Sequence, residues 1–421
     1  MCIAHKVSRV LPAALLAGLA LLSTPSVGSA ERGGLFDWFG SSWFGPPTRP
    51  PPPAAPPPAR PPREFATPGP LTATGPIVND TARYLAGLQP PAGSPIAALT
   101  REDGWAGHAR FFDRAFGELD RTQLAKIRAW SAATLQPRRP TMFYMFSGPD
   151  FLYADAFFPS ASTYVLAGLE PVGQIPDLMR MPRGTIGPAL GSVANSLHSV
   201  LSFSFFITHN MRSELSTGRL GGTVPILYIF LARAGKTVRG ASLIALDAEG
   251  VEQPDGPAVR SAAHGVKIVF SGAEGRDQTL YYFATDLADD NVGRSGFLKF
   301  AERLAPADSL LKSASYLMHR PAFSRIRDFL LTHSASILQD DSGIPLAAFD
   351  RQKWQLQPFG RYLGPVDVFP QNYQPKLSEL FARGNPSPID FGVGYRWRPH
   401  ESNLLLAIHR GPNTAGASPT P

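Results

Sequence analysis

Cysteine is almost absent from this chain: of 421 residues only Cys2 is one. Past residue 30 there is thus no thiol for a disulfide, a soft-metal site or a nucleophile. Cys2 is also misplaced for lipid attachment, which needs a cysteine directly after an apolar run. Long hydrophobic stretches are scarce as well. Val10 to Leu22 and Val224 to Ala232 both fall short of the roughly twenty residues that cross a bilayer.

Charge of one sign is also thin. The formal net charge is +7, but Lys6 and Arg9 account for two of it and residues 31–70 for one more. The remaining surplus over so long a stretch leaves no clustered footprint for nucleic acid. Several catalytic signatures are missing: His-Glu-x-x-His, Gly-x-Ser-x-Gly and a helix-opening Gly-x-Gly-x-x-Gly do not occur. Gly235-Lys236-Thr237 resembles the end of a phosphate loop, but Phe230 stands where its first glycine must be. None of the eight histidines past residue 30 has metal-ligand spacing with another. His108 and His264 read as loop residues, and His198 and His209 as core histidines of an apolar helix. Neither a metal nor a cofactor is expected.

What is present begins with an address. His5, Lys6 and Arg9 precede the first apolar run, and Gly28-Ser29-Ala30 supplies small residues before Glu31; residues 1–30 read as a signal peptide directing export to the periplasm or beyond. Residues 31–45 contain Trp-Phe-Gly twice, with Trp38, Phe39, Trp43 and Phe44 as candidates for envelope attachment through a partner groove or a peripheral membrane contact. Residues 46–70 hold thirteen prolines and read as an extended, disordered spacer. Residues 411–421 read as a disordered tail.

Between them, residues 71–410 read as one domain of α/β to α+β type, a mixed sheet covered by helices. Helical periodicity runs over Asn79–Gln89, Arg110–Ala133, Pro188–Met211, Phe297–Leu304, Asp308–His319, Phe323–His333 and Pro375–Arg383. Thr141–Ser147, a helix over Asp150–Phe158 and Ser162–Leu169 form a strand-helix-strand crossover with a parallel pair. Ala241–Leu246, Val266–Phe270 and Thr279–Thr285 read as an antiparallel meander. Ile337–Gln339, Leu346–Phe349, Trp354–Gln357, Gly394–Trp397 and Leu404–His409 read as closing strands.

Two acidic turns are the candidate catalytic groups. Asp150 ends Ser147-Gly148-Pro149-Asp150, where it suits an N-cap. The same loop follows a parallel strand's carboxyl end, where open α/β sheets bind ligands. Asp155, five residues on, points elsewhere on a regular helix. Asp340-Asp341-Ser342-Gly343 is a turn by composition, but adjacent carboxylates raise one another's pKa, which suits acid catalysis or cation binding. Ser147, Ser342 and Arg320 are the accompanying binding candidates. Two functions follow: a non-enzymatic protein binding an envelope component or small ligand, and a metal-independent hydrolase using Asp150, Asp155, Asp340 and Asp341. A convergent site with a perturbed carboxylate favours the enzyme, and an exposed apolar groove the binder.

Overall fold

The computed structural model describes residues 70–411 except 183, 198–200, 202–219, 257–260, 262 and 273. The expected signal peptide, the aromatic peptide with Trp38, Phe39, Trp43 and Phe44, and all of the proline-rich stretch but Pro70 lie outside the described residues. So do His198, His209, most of the helix expected beyond Leu197, and residues 412–421.

Eleven strands form one mixed sheet in the order β1-β4-β6-β7-β3-β2-β8-β9-β11-β10, with β5 beside β4. The centre is parallel: β7 (Asp277–Ala284), β3 (Thr163–Gly168), β2 (Thr141–Tyr144), β8 (Ala307–Leu311) and β9 (Ser334–Gln339). On one side, β1 (Thr72–Thr74), β4 (Thr237–Leu246), β5 (Glu252–Pro254) and β6 (His264–Ser271) add an antiparallel wing. On the other, β11 (Asn403–His409) and β10 (Trp354–Gly360) add a second.

Helices cover both faces, as a parallel centre requires. All four residues of β2 are buried. Met142 and Tyr144 enter the main core, while Phe143 meets Phe329, ring centroids 5.9 Å apart, on a helix over Ser324–His333. The main core also takes α1 (Pro76–Leu85), with proline at its first turn, and α2 (Trp105–Leu119), whose buried Trp105, His108, Phe112, Phe116 and Leu119 keep the helical spacing. α3 (Ala125–Thr134), α4 (Phe151–Phe157), α5 (Ile186–Ser196) and α6 (Val224–Arg233) complete it. Val224 to Ala232 is buried throughout, which explains an apolar run too short to span a bilayer. Among the described residues no helix is long and apolar enough to cross a membrane.

The crossover and the meander occur where the sequence pattern puts them. Three elements differ. The helix expected over Asp308–His319 is instead strand β8, a loop, and a 3-10 turn at Leu317–His319. All five residues of β8 are buried, Asp308 and Ser309 among them, so the run has no alternation of period two to set it apart from a helix. The strand expected at Leu346–Phe349 is a 3-10 turn, its first N–H given to the Gln374 side chain at 2.8 Å. The strand expected at Gly394–Trp397 is reduced to a single bridge between Val393 and Arg396, because Gly394 turns the chain at φ 65°.

Chain order sets the candidate site. After β2 the chain moves to one side for β3 and eventually β7, then returns to β2's other side for β8 and β9. The carboxyl ends of β2 and β8 therefore flank the topological switch point, where open α/β sheets leave a crevice for ligands.

Candidate functional site

Three loops leave the sheet at this point. Beyond β2, the chain turns through Phe146 at φ 61° and Gly148 at φ 55° to reach Asp150. Asp150 caps α4 through the Tyr153 N–H at 3.3 Å, the structural role its sequence position suits. Its other oxygen accepts the Tyr144 hydroxyl at 2.9 Å and lies 2.9 Å from the Lys312 ammonium. Lys312 is the first residue past β8, so this pair bridges the switch point. It is buried on both sides, at 2% and 1% side-chain exposure. The ammonium also lies 4.0 Å from the centre of the Tyr153 ring, whose face attracts cations.

The loop after β8 is strained. Ser313, Ser315 and Tyr316 have φ of 54°, 52° and 54°, left-handed values that cost an L-residue roughly 1–2 kcal/mol each. The acidic turn after β9 holds this loop in place. Asp340 accepts the Ser313 and Ser342 N–H groups, each at 2.9 Å, and the Ser342 hydroxyl. Ser342 in turn accepts the Ala314 N–H at 2.7 Å. Asp341 accepts the Tyr316 hydroxyl and, at 2.9 Å, the Asn403 amide. Gly394 packs directly on Asp340, so a Cβ there would overlap its carboxylate.

Burial dominates the electrostatics. It raises the Asp340 carboxyl, with repulsion from Asp341 adding to it, against the opposing bonds from Ser342 and Ser313; the group is pushed up to about 7. Burial also raises Asp341, and the Tyr316 and Asn403 bonds offset part of this. The Tyr144 phenol is raised by burial and then by both Asp150 and Asp340, so the two acidic turns act on one ring.

The structure thus brings Asp150, Asp340, Asp341 and Ser342 to one edge of the sheet. Ser147 is buried there too, its hydroxyl given to the Gly148 carbonyl at 2.7 Å and that of Ala167 at 3.3 Å, which ties the β2 loop to β3. Arg320 follows the β8 loop, and its charge adds to burial in depressing the neighbouring His319. Asp155 stands apart. It pairs with Lys236 at 2.7 Å and accepts the Tyr164 hydroxyl at 3.3 Å, near the start of β3. Five residues of helix turn it away from Asp150, so it forms a separate buried pair.

Sequence reasoning missed Lys312, Tyr144, Tyr316, Asn403 and Glu170. Lys312 offered one signal, a lone cation closing the run Leu310-Leu311, but a helical reading of that run puts it on a solvated face. Glu170 is 2% exposed at the carboxyl end of β3 and packs on Gly148 and Gly168; nothing local marks it. Among the described residues no set of His, Cys, Asp and Glu is arranged to hold a metal ion. A cleft of about 720 Å³ opens elsewhere, between α2 and α5. Its histidine, His108, donates to the Leu85 carbonyl at 2.7 Å and is held below its usual pKa by burial. No protein-family model, curated protein or solved structure matches the chain.

Proposed function

We propose that this protein is a metal-independent hydrolase whose active site is the cluster at the carboxyl ends of β2, β8 and β9. One observation carries the reading: a carboxyl that keeps its proton to about pH 7, Asp340, stands at the same switch point as a buried cation, Lys312, which pairs with Asp150. A proton donor must hold its proton near the working pH, and a fixed cation stabilises negative charge developing on a scissile bond's oxygen. Asp340 is assigned as general acid and Lys312 as electrostatic stabiliser, oriented by Asp150 and Tyr144. Non-glycine residues in left-handed conformations concentrate in these loops, as they do where strain serves a site. Export through residues 1–30 belongs to the same proposal, which puts the substrate outside the cytoplasm.

The test is turnover. The full chain is assayed against p-nitrophenyl esters and p-nitrophenyl glycosides, and Asp340→Asn should lower the rate about a hundredfold or more. Unchanged turnover in that variant removes Asp340 from the chemistry.

A second reading, a non-enzymatic binder, is favoured by the saturation of both carboxylates with protein donors. It predicts a melting temperature raised by an envelope polymer or small ligand, without turnover of any substrate.

A further inference from the structure

Two reactive atoms at this edge of the sheet are buried and have no hydrogen-bond partner: the Ser313 hydroxyl oxygen and His319 Nε2. Other hydroxyls of the same loops are engaged, Ser315 with Tyr395 at 2.8 Å and Ser342 with Asp340 and the Ala314 N–H. A buried polar atom without a partner costs about 1–3 kcal/mol. In a site it marks where a ligand or a second conformer supplies the missing bond.

Ser313 stands two residues beyond β8, on the left-handed turn at the switch point. Its backbone is held on both sides: the N–H goes to Asp340 at 2.9 Å, and the carbonyl accepts the Tyr395 hydroxyl at 3.0 Å. A sharp, strained turn directly after a strand is how α/β enzymes raise a nucleophile clear of the sheet. His319 ends the same loop. Burial lowers the ring's pKa to about 4, and the Gly343 backbone of the acidic turn opposes this in part. In the tautomer with its proton on Nδ1, the ring offers the unpartnered Nε2 lone pair as an acceptor. The ring packs edge-on against Tyr316, centroids 5.3 Å apart. Both residues are half-buried.

Building on the hydrolase reading, we propose that Ser313 is the nucleophile and His319 its general base, and that the substrate is a carboxylic ester. The two atoms are unbonded in the free protein and pair when substrate enters; catalytic hydrogen bonds commonly tighten only then. As Ser313 Oγ bonds to the ester's carbonyl carbon, its proton passes to His319 Nε2. The adduct collapses with cleavage of the bond to the alcohol oxygen, and the alcohol leaves with that proton. Water then gives a proton to Nε2 while its oxygen bonds to the acyl carbon, the bond to Oγ breaks, and the proton returns to Ser313. Oxidation states do not change. Lys312 faces the negative charge that develops on the carbonyl oxygen.

The test is covalent labelling of the full chain with an alkyl fluorophosphonate, read by mass spectrometry, beside p-nitrophenyl butyrate hydrolysis. The expected result is one adduct on Ser313, with labelling and hydrolysis both slowed about a hundredfold in His319→Gln. Ser313→Ala should give no adduct. Ser313→Gly, which suits the left-handed turn, should be inactive while melting no lower than wild type, which separates loss of chemistry from loss of fold. An adduct elsewhere, no adduct, or labelling indifferent to His319→Gln overturns the pair. Ester or glycoside turnover that falls in Asp340→Asn but persists in Ser313→Ala overturns this inference and leaves the hydrolase reading standing. Turnover indifferent to Asp340→Asn with Ser313 still labelled removes Asp340 as general acid and leaves the Ser313–His319 pair standing.

Discussion

Asp340 keeps its proton because the fold takes its carboxyl out of water next to Asp341, and this has a thermodynamic cost. A carboxyl with a folded pKa above its unfolded one binds more protons in the folded state over that interval. Stability is then full below about pH 4 and falls as pH rises through about 7. Asp341, also raised, acts in the same direction. The tyrosines facing the pair, Tyr144, Tyr316 and Tyr395, are raised above their usual range and stay neutral across the window. Unfolding by urea from about pH 4.5 to 8, wild type beside Asp340→Asn, should show the fall as a difference between the two, the variant keeping an acceptor for the Ser313 N–H. His319, lowered by burial to about 4, works in the opposite sense over the lower part of this interval, so the assignment is read from the difference between wild type and Asp340→Asn, and a difference that does not fall with rising pH contradicts it. The pair across β2 and β8 gives a second outcome: Lys312→Met should cost about 3–5 kcal/mol by leaving Asp150 buried without its cation. Adding Asp150→Asn to it should recover part of the loss, measured as a double-mutant cycle.

Among elements, the loop after β8 holds three left-handed residues other than glycine, Ser313, Ser315 and Tyr316. Ser315→Gly and Ser315→Ala both lose the hydroxyl bond to Tyr395, so their difference isolates the left-handed backbone. Glycine should be the more stable by about 1 kcal/mol in chemical denaturation; the reverse order would show that the turn is not strained. The same loop shows where sequence legibility stops. Thr141-Met142-Phe143-Tyr144, followed by Gly-Pro and a capping Asp, reads as a strand entering a helix because turn and cap chemistry are local. The meander is legible for the same reason, since each strand is bounded by its own Gly, Asp or Pro. Ala307-Asp308-Ser309-Leu310-Leu311 becomes a strand only because β2 and β9 lie on either side of it, and that pairing leaves no mark in the run itself. Losing β8 loses the site: Asp150 and Asp341 stand out as acids in turns, whereas Lys312, Ser313 and Tyr316 gain their roles from a strand end that the helical pattern conceals.

For the molecule as a whole, the described domain begins at the edge of the sheet, where Thr72 to Thr74 pair with β4. Limited proteolysis of the full chain should therefore cut in or beside residues 46–70, at Arg60 or Arg63 for a protease that cleaves after basic residues, and release a stable fragment starting near Leu71. Deleting residues 31–70 should leave the melting temperature unchanged. A large drop would mean that the aromatic peptide around Trp38 and Trp43 belongs to the core.

The switch point also has a consequence for how the chain is made. β2 and β3 emerge early from synthesis, but the strand that covers the other side of β2 comes only after β4 to β7. Until β8 arrives, β2 presents an open row of backbone donors and acceptors on a strand whose four residues are all buried in the finished fold, with Asp150 beside it lacking its cation. Such an edge is a template for pairing with another chain, and a nascent fragment ending before Ala307 is exposed to it for as long as synthesis pauses there.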